Sequence, residues 1–204
     1  MNAILPGPLH TLHLHDGSLV DPFWYEPKAL VTSEIYRPDK EWTHVQRRAA
    51  SILSRLRSIK YRADIEAALV RYSRAFDNHD LNAAFSGLWG VLEFLTDSVG
   101  AYEQLISRAA FVIADKDRDF VRLLLEHLRD VRNGLIHEDR ERTNVESYLY
   151  QLKWLAEVLL RFHLRNGALF ASRSEAARYL DLSLNRDTLR LRIKEYRRAL
   201  RQRG

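Results

Sequence analysis

Three features of this 204-residue sequence predict an all-α fold: an antiparallel helical bundle preceded by a short N-terminal β-hairpin or extended arm. All five prolines (Pro6, Pro8, Pro22, Pro27 and Pro38) fall in the first forty residues. From Glu41 onward, apolar residues recur at three- and four-residue spacings, the period of a helix with one buried face. The breaks in that pattern carry residues that end or start helices: Asn78-His79-Asp80, Gly100 and Asn166-Gly167.

In chain order, Thr11-Leu12-His13-Leu14-His15 alternates and runs into Asp16-Gly17, a hairpin-turn dipeptide. A short hairpin and an extended arm are expected over 1–40. Helices are expected near 41–59, 62–77, 81–98, 101–114, 118–134, 143–165, 174–181 and 187–201. Three of them carry plain apolar stripes: Phe85, Leu88, Leu92 and Leu95; Val121, Leu124, Leu125, Leu128 and Val131; Tyr148, Leu152, Leu155 and Leu159. Stripes of this kind bury against other helices. The organisation expected is an arm (1–40), a helical bundle (41–170) and a pair of basic C-terminal helices (171–204).

Composition narrows the chemistry. The chain is 46% hydrophobic and 29% charged, which suits one compact domain with modest appendages. It has no cysteine, so disulfides, cysteine-ligated metals and thiol catalysis are excluded. There is neither a basic and apolar leader nor a run of 18 apolar residues, so a cytoplasmic protein without a membrane span is expected. The net charge of +5 is uneven: residues 186–204 hold eight basic residues against Asp187 and Glu195. A second basic stretch carries Arg47, Arg48, Arg55, Arg57, Lys60 and Arg62. Clustered positive charge suits a polyanionic partner such as RNA, and equally suits a solvated helix face.

The stretch that carries chemistry is Arg129-Asp130-Val131-Arg132-Asn133-Gly134-Leu135-Ile136-His137-Glu138. If the helix persists through Gly134, Asn133 and His137 share a face. Arg132 falls at the edge of the apolar stripe, where a guanidinium needs a carboxylate or a phosphate. Glu93 is the expected protein partner and completes the candidate catalytic set of Arg132, Asn133, His137 and Glu93. The plainer alternative is that Arg132 and His137 only favour the dipole at a helix C-terminus.

Arg132-Asn133-x-x-x-His137 resembles the Arg-polar-x-x-x-His motif of HEPN domains. Phe85-Ser86-Gly87-Leu88-Trp89-Gly90-Val91-Leu92-Glu93-Phe94-Leu95 is similar to the Trp-x-x-Leu-Glu helix of the Apea-like HEPN subgroup. The resemblance covers about residues 60 to 165. It implies a helical bundle that forms a homodimer and, in many members, metal-independent cleavage of RNA without a cofactor. Some members belong to defence or toxin systems, which implies an antitoxin or other regulatory partner. The sequence departs from the toxins that pair with nucleotidyltransferase antitoxins, because Glu138-Asp139 follows His137 where they have x-Tyr. A non-catalytic HEPN module that binds RNA or protein is the alternative within the family.

Three other constellations are weaker. His10, His13, His15 and Asp16 invite a metal, but the His-x-His of metal-dependent hydrolases needs a barrel of roughly 250 residues behind it; alternating histidines on a strand are expected instead. Residues 173–201 resemble a helix-turn-helix, which makes a DNA-binding regulator a further alternative. Asp181 stands there where a turn glycine is common, and Leu184-Asn185-Arg186-Asp187 overruns a 3–4-residue turn. Trp24, Tyr25 and Trp42 suit either base stacking or anchoring of the arm.

Overall fold

The computed structural model describes residues 9–25, 41–78, 80–137 and 145–203. It is an all-α helical bundle with an N-terminal hairpin. β1 (Leu9–His13) pairs antiparallel with β2 (Leu19–Tyr25). The turn between them is closed by Asp16, whose carboxylate accepts from Ser18 N at 2.9 Å and Ser18 Oγ at 2.6 Å, while Gly17 takes φ +85°. His13 and His15 are exposed, and the His13 ring contacts Thr11 Oγ1 and Gly17 O. The side chains of His10, Trp24 and Tyr25, and the arm over 26–40, lie outside the described residues.

The helices are α1 (Trp42–Ser58), α2 (Arg62–Asp77), α3 (Leu81–Leu95), α4 (Tyr102–Phe111), α5 (Asp115–His137), α6 (Val145–Asn166), α7 (Arg173–Leu180) and α8 (Arg186–Arg203). Among the described residues no helix is long and apolar enough to cross a membrane. The chain divides into two compact units, residues 1–50 and 51–204. The second holds the bundle core.

α3 is the axis of that core. Its stripe of Phe85, Leu88, Leu92 and Leu95 is fully buried, and Trp89 with it. It packs chiefly against α2 and α6. Gly87 allows the close approach of α2: a Cβ there would meet Ala75 Cβ at 3.0 Å. At its start Asp80 accepts from Asn82 N at 2.8 Å, as an N-cap should. Directions follow from cross-helix bonds. Tyr61, just before α2, meets His163 near the end of α6, and Tyr72 in α2 donates to Glu157 in α6, so these two helices run antiparallel. His163 also reaches Leu95 at the end of α3, which sets α3 parallel to α6.

The end of α3 differs from expectation. The helix stops at Leu95 rather than at 98, before Gly100. Asp97 adopts the left-handed conformation (φ +51°) that glycine more often supplies. Asp97 N donates to Phe94 O and Ser98 N to Glu93 O, the paired bonds of a Schellman ending. An aspartate is useful here because its carboxylate meets Arg173 of α7 at 2.8 Å.

The remaining carbonyls of this ending are all covered. Leu92 O accepts from Thr96 Oγ1 at 2.7 Å, Phe94 O from Arg173, and Leu95 O from His163 Nε2 at 2.9 Å. Thr96 O and Asp97 O each accept from Arg108 Nη1 at 2.8 Å. Arg108, buried on α4, turns its other edge to Asp181 in a bidentate pair at 2.8 and 2.7 Å. Asp181, odd as a turn residue in the sequence, is thus a counter-ion. α7 is tied to α3 and α4 by these contacts.

His163 makes stability depend on pH. Its ring is fully buried; Nε2 donates to Leu95 O, so Nδ1 accepts from Tyr61 Oη at 2.9 Å. Burial, aided by Arg173, pulls its pKa from 6.5 down to about 4, although the Leu95 carbonyl acts the other way. The unfolded chain therefore takes up the proton first as pH falls. Stability is full above about pH 6.5 and is lost progressively toward pH 4, by about 2 kcal/mol at pH 5. Melting temperatures at pH 7.5 and pH 5 should differ accordingly, and His163→Asn should be less stable at both but flatter between them.

Candidate active site

α5 runs longer than expected, from Asp115 to His137, and does not end at Gly134. Asp115 and Asp117 in its first turn favour its start electrostatically. Because the helix continues through Gly134, the backbones of Asn133 and His137 stand one turn apart on one face, about 6 Å along the axis. The side chain of His137 and residues 138–144, including Glu138 and Asp139, lie outside the described residues.

Val131 is fully buried and holds this end of α5 to the core, while Arg132 and Asn133 beside it are half-exposed. The Arg132 guanidinium donates through Nη1 to Tyr102 Oη. Its Cζ also stands 5.4 Å from the centre of the Tyr102 ring, a cation–π contact. Tyr102 opens α4, which runs antiparallel to α5. One turn back along α5, Arg129 confirms the pairing of the two helices by meeting Glu103 at 3.5 Å and also reaches Asp130 at 3.2 Å.

Glu93, expected opposite Arg132, is engaged elsewhere. Its carboxylate accepts from Trp89 Nε1 at 3.1 Å, one turn earlier on α3. Among the described residues, Arg132 has no carboxylate partner. The physical reason is that Trp89 and Glu93 satisfy each other along α3, and the phenol of α4 fills the space the carboxylate was expected to reach. The two are nevertheless linked, since the Trp89 and Tyr102 rings lie 6.2 Å apart. The chain of contacts is Glu93, Trp89, Tyr102, Arg132. Asn133 has no partner that would fix its amide among the described residues.

Sequence reasoning missed Tyr102 and the role of Trp89. The available signal is a half-buried arginine that needs covering, and an aromatic ring with a hydroxyl covers a guanidinium by its face and its oxygen as a carboxylate would by charge.

The other end of α4, about 14 Å from Tyr102 by helical rise, borders a separate groove of about 400 Å³. Phe111, Phe162 and Tyr179 form its aromatic wall and Arg161 and Arg165 its basic edge. The Phe162 and Tyr179 rings are stacked, 6.2 Å apart. Among the described residues no group of three or more His, Cys, Asp or Glu side chains is arranged to hold a metal ion. Searches of protein-family models, curated proteins and solved structures return no match to this chain.

Proposed function

We propose that the chain is a HEPN-type endoribonuclease that acts without a metal and as a homodimer. The observation that carries the reading is Arg132. It is held by a phenol and a ring face, not neutralised by a carboxylate among the described residues, and it stays half-exposed beside a helix that continues to His137. A guanidinium so placed is available to a phosphodiester. The HEPN-like motif and the Trp89-to-Glu93 helix, which the contacts place behind Arg132, support the same reading.

In the proposed reaction the 2′-hydroxyl of RNA attacks the adjacent phosphorus. A bond forms from O2′ to phosphorus and the bond from phosphorus to O5′ breaks, leaving a 2′,3′-cyclic phosphate and a free 5′-hydroxyl. His137 takes the proton from O2′ or supplies one to O5′, roles suited to an imidazole near neutral pH. Arg132 neutralises charge on the phosphorane oxygens. Asn133 orients the imidazole or contacts the phosphate. Glu93 acts as a positioning residue through Trp89 and Tyr102. One histidine does not easily serve both faces of an in-line displacement, so a second copy supplies the other. The exposed Phe120 and Leu123 on α5 give an apolar surface on which copies can meet.

The test is incubation of pure protein with end-labelled tRNA and mRNA, with and without EDTA, and analysis of the product ends. Cleavage that survives EDTA and leaves cyclic phosphate and 5′-hydroxyl ends is expected. Activity lost in EDTA, or products with 3′-hydroxyl and 5′-phosphate ends, sinks the mechanism. Tyr102→Phe, which removes the hydroxyl but keeps the ring, should lower cleavage by roughly tenfold or less, because the cation–π half of the contact survives.

A further inference from the structure

The last helix is out of keeping with the rest of the fold. α8 spans eighteen residues, yet Leu189 is its one half-buried position among the described side chains; the others are exposed. The exposure includes large apolar groups: Ile193 is 50% exposed, Tyr196 68% and Leu200 73%. Most helical stability in proteins comes from packing an apolar face against a partner.

Four of the apolar residues line up, while Leu191, 57% exposed, stands alone on the opposite side. Leu189, Ile193, Tyr196 and Leu200 are separated by four, three and four residues, the alternation of a helix that pairs with another helix. At 100° per residue they occupy an arc of only about 60°. Arg186, Arg190 and Arg197 border this seam on one side and Arg192 on the other. Of these, Arg190 meets Asp187 at 3.3 Å in an exposed pair; among the described residues Arg186, Arg192 and Arg197 make no ion pair.

Each feature narrows the occupant. A second copy of α8 would bring the flanking arginines of both helices face to face. A membrane surface favours a broader apolar face than this seam offers. A nucleic acid would satisfy the arginines and leave the seam in water. What satisfies both is a helix that brings apolar residues to the seam and carboxylates to its edges. We propose that α8 is a docking helix for an acidic amphipathic helix of another protein. The partner's apolar stripe seats on Leu189, Ile193, Tyr196 and Leu200, and its flanking Asp or Glu residues meet Arg190, Arg192 and Arg197. The assignment uses none of the residues of the cleavage site and stands apart from it.

The experiment uses the full chain and a fluorescent synthetic peptide of about three heptads, with Leu and Ile in the seam and Glu on both flanks. Anisotropy should report one-to-one binding. The double variant Ile193→Asp, Tyr196→Asp should weaken it by about tenfold or more. Both positions are exposed, so far-ultraviolet circular dichroism should not change. A second variant, Arg190→Glu with Arg192→Glu and Arg197→Glu, should transfer the preference to a peptide whose flanks are Lys. Equal binding of a scrambled peptide of the same composition would overturn the proposal, because α8 would then sense charge alone. So would binding of a labelled RNA, or of phosphatidylserine vesicles, that depends on Ile193 and Tyr196 as strongly as the peptide does. Self-association of the unmodified chain in sedimentation, abolished by Tyr196→Asp, would assign the seam to a second copy instead.

Discussion

Replacing His137 by alanine is expected to lower RNA cleavage by roughly 10²–10⁴-fold, the usual worth of a positioned acid or base. The helical circular dichroism should stay as it is. His137 is the last residue of α5, past the point where Val131 anchors the helix, so the loss should be chemical and not structural. Arg132→Ala should cost a comparable factor, about 3–4 kcal/mol if the guanidinium acts as a single oxyanion donor does. Arg132→Lys should recover little, because a lysine neither forks onto a phosphate nor lies flat on the Tyr102 ring. The discriminating result is the pair of variants measured together. If both leave cleavage unchanged while the protein stays folded, the site lies elsewhere and α5 simply ends in two cations that suit its dipole.

The second large effect concerns the fold. Arg108→Ala is expected to destabilise the protein by about 3–5 kcal/mol. Two carbonyls, Thr96 O and Asp97 O, lose their donor, at about 1–3 kcal/mol for each that stays dry. Asp181 loses both bonds of its bidentate pair, but that carboxylate is partly exposed and water makes good most of its loss. For a chain of this size the melting temperature should fall by about 10 °C. Arg108→Lys should restore only part of it, since an ammonium cannot serve two carbonyls and a carboxylate along two planar edges. Thermal melts of both variants at pH 7.5 measure this directly. A fall of only a degree or two would mean that water covers the end of α3 as well as the arginine does.

Much of the architecture was legible because helical periodicity is a strong signal and proline ends abruptly at Pro38. The stripes on α3, α5 and α6 are the buried faces, and Asp80 caps where a helix start demanded it. What sequence could not give was the partner of any long-range polar group. Asp181 is unusual for a turn, and its reason is Arg108, 73 residues away. Glu93 looked like the natural counter-ion for Arg132 because charge suggests charge; the nearer donor was the indole one turn away on its own helix. Gly100 suits a helix end, but Thr96 and Asp97 end α3 earlier, through a left-handed aspartate whose carboxylate meets Arg173. Nothing in the sequence marks His163 as a buried, neutral ring, since burial of a histidine depends on neighbours that periodicity does not name.

The sealed end of α3 also has a schedule. Its carbonyls at 94–97 are made well before the side chains of Arg173 and Asp181 that complete their cover. At about 5–20 residues per second of synthesis, the interval between Asp97 and Asp181 is roughly 4–17 s. Through that interval the growing chain holds its central helix with an unfinished terminus, answered by solvent. Until the seventh helix arrives, Phe94 O lacks the guanidinium of Arg173, and Arg108 lacks the carboxylate of Asp181.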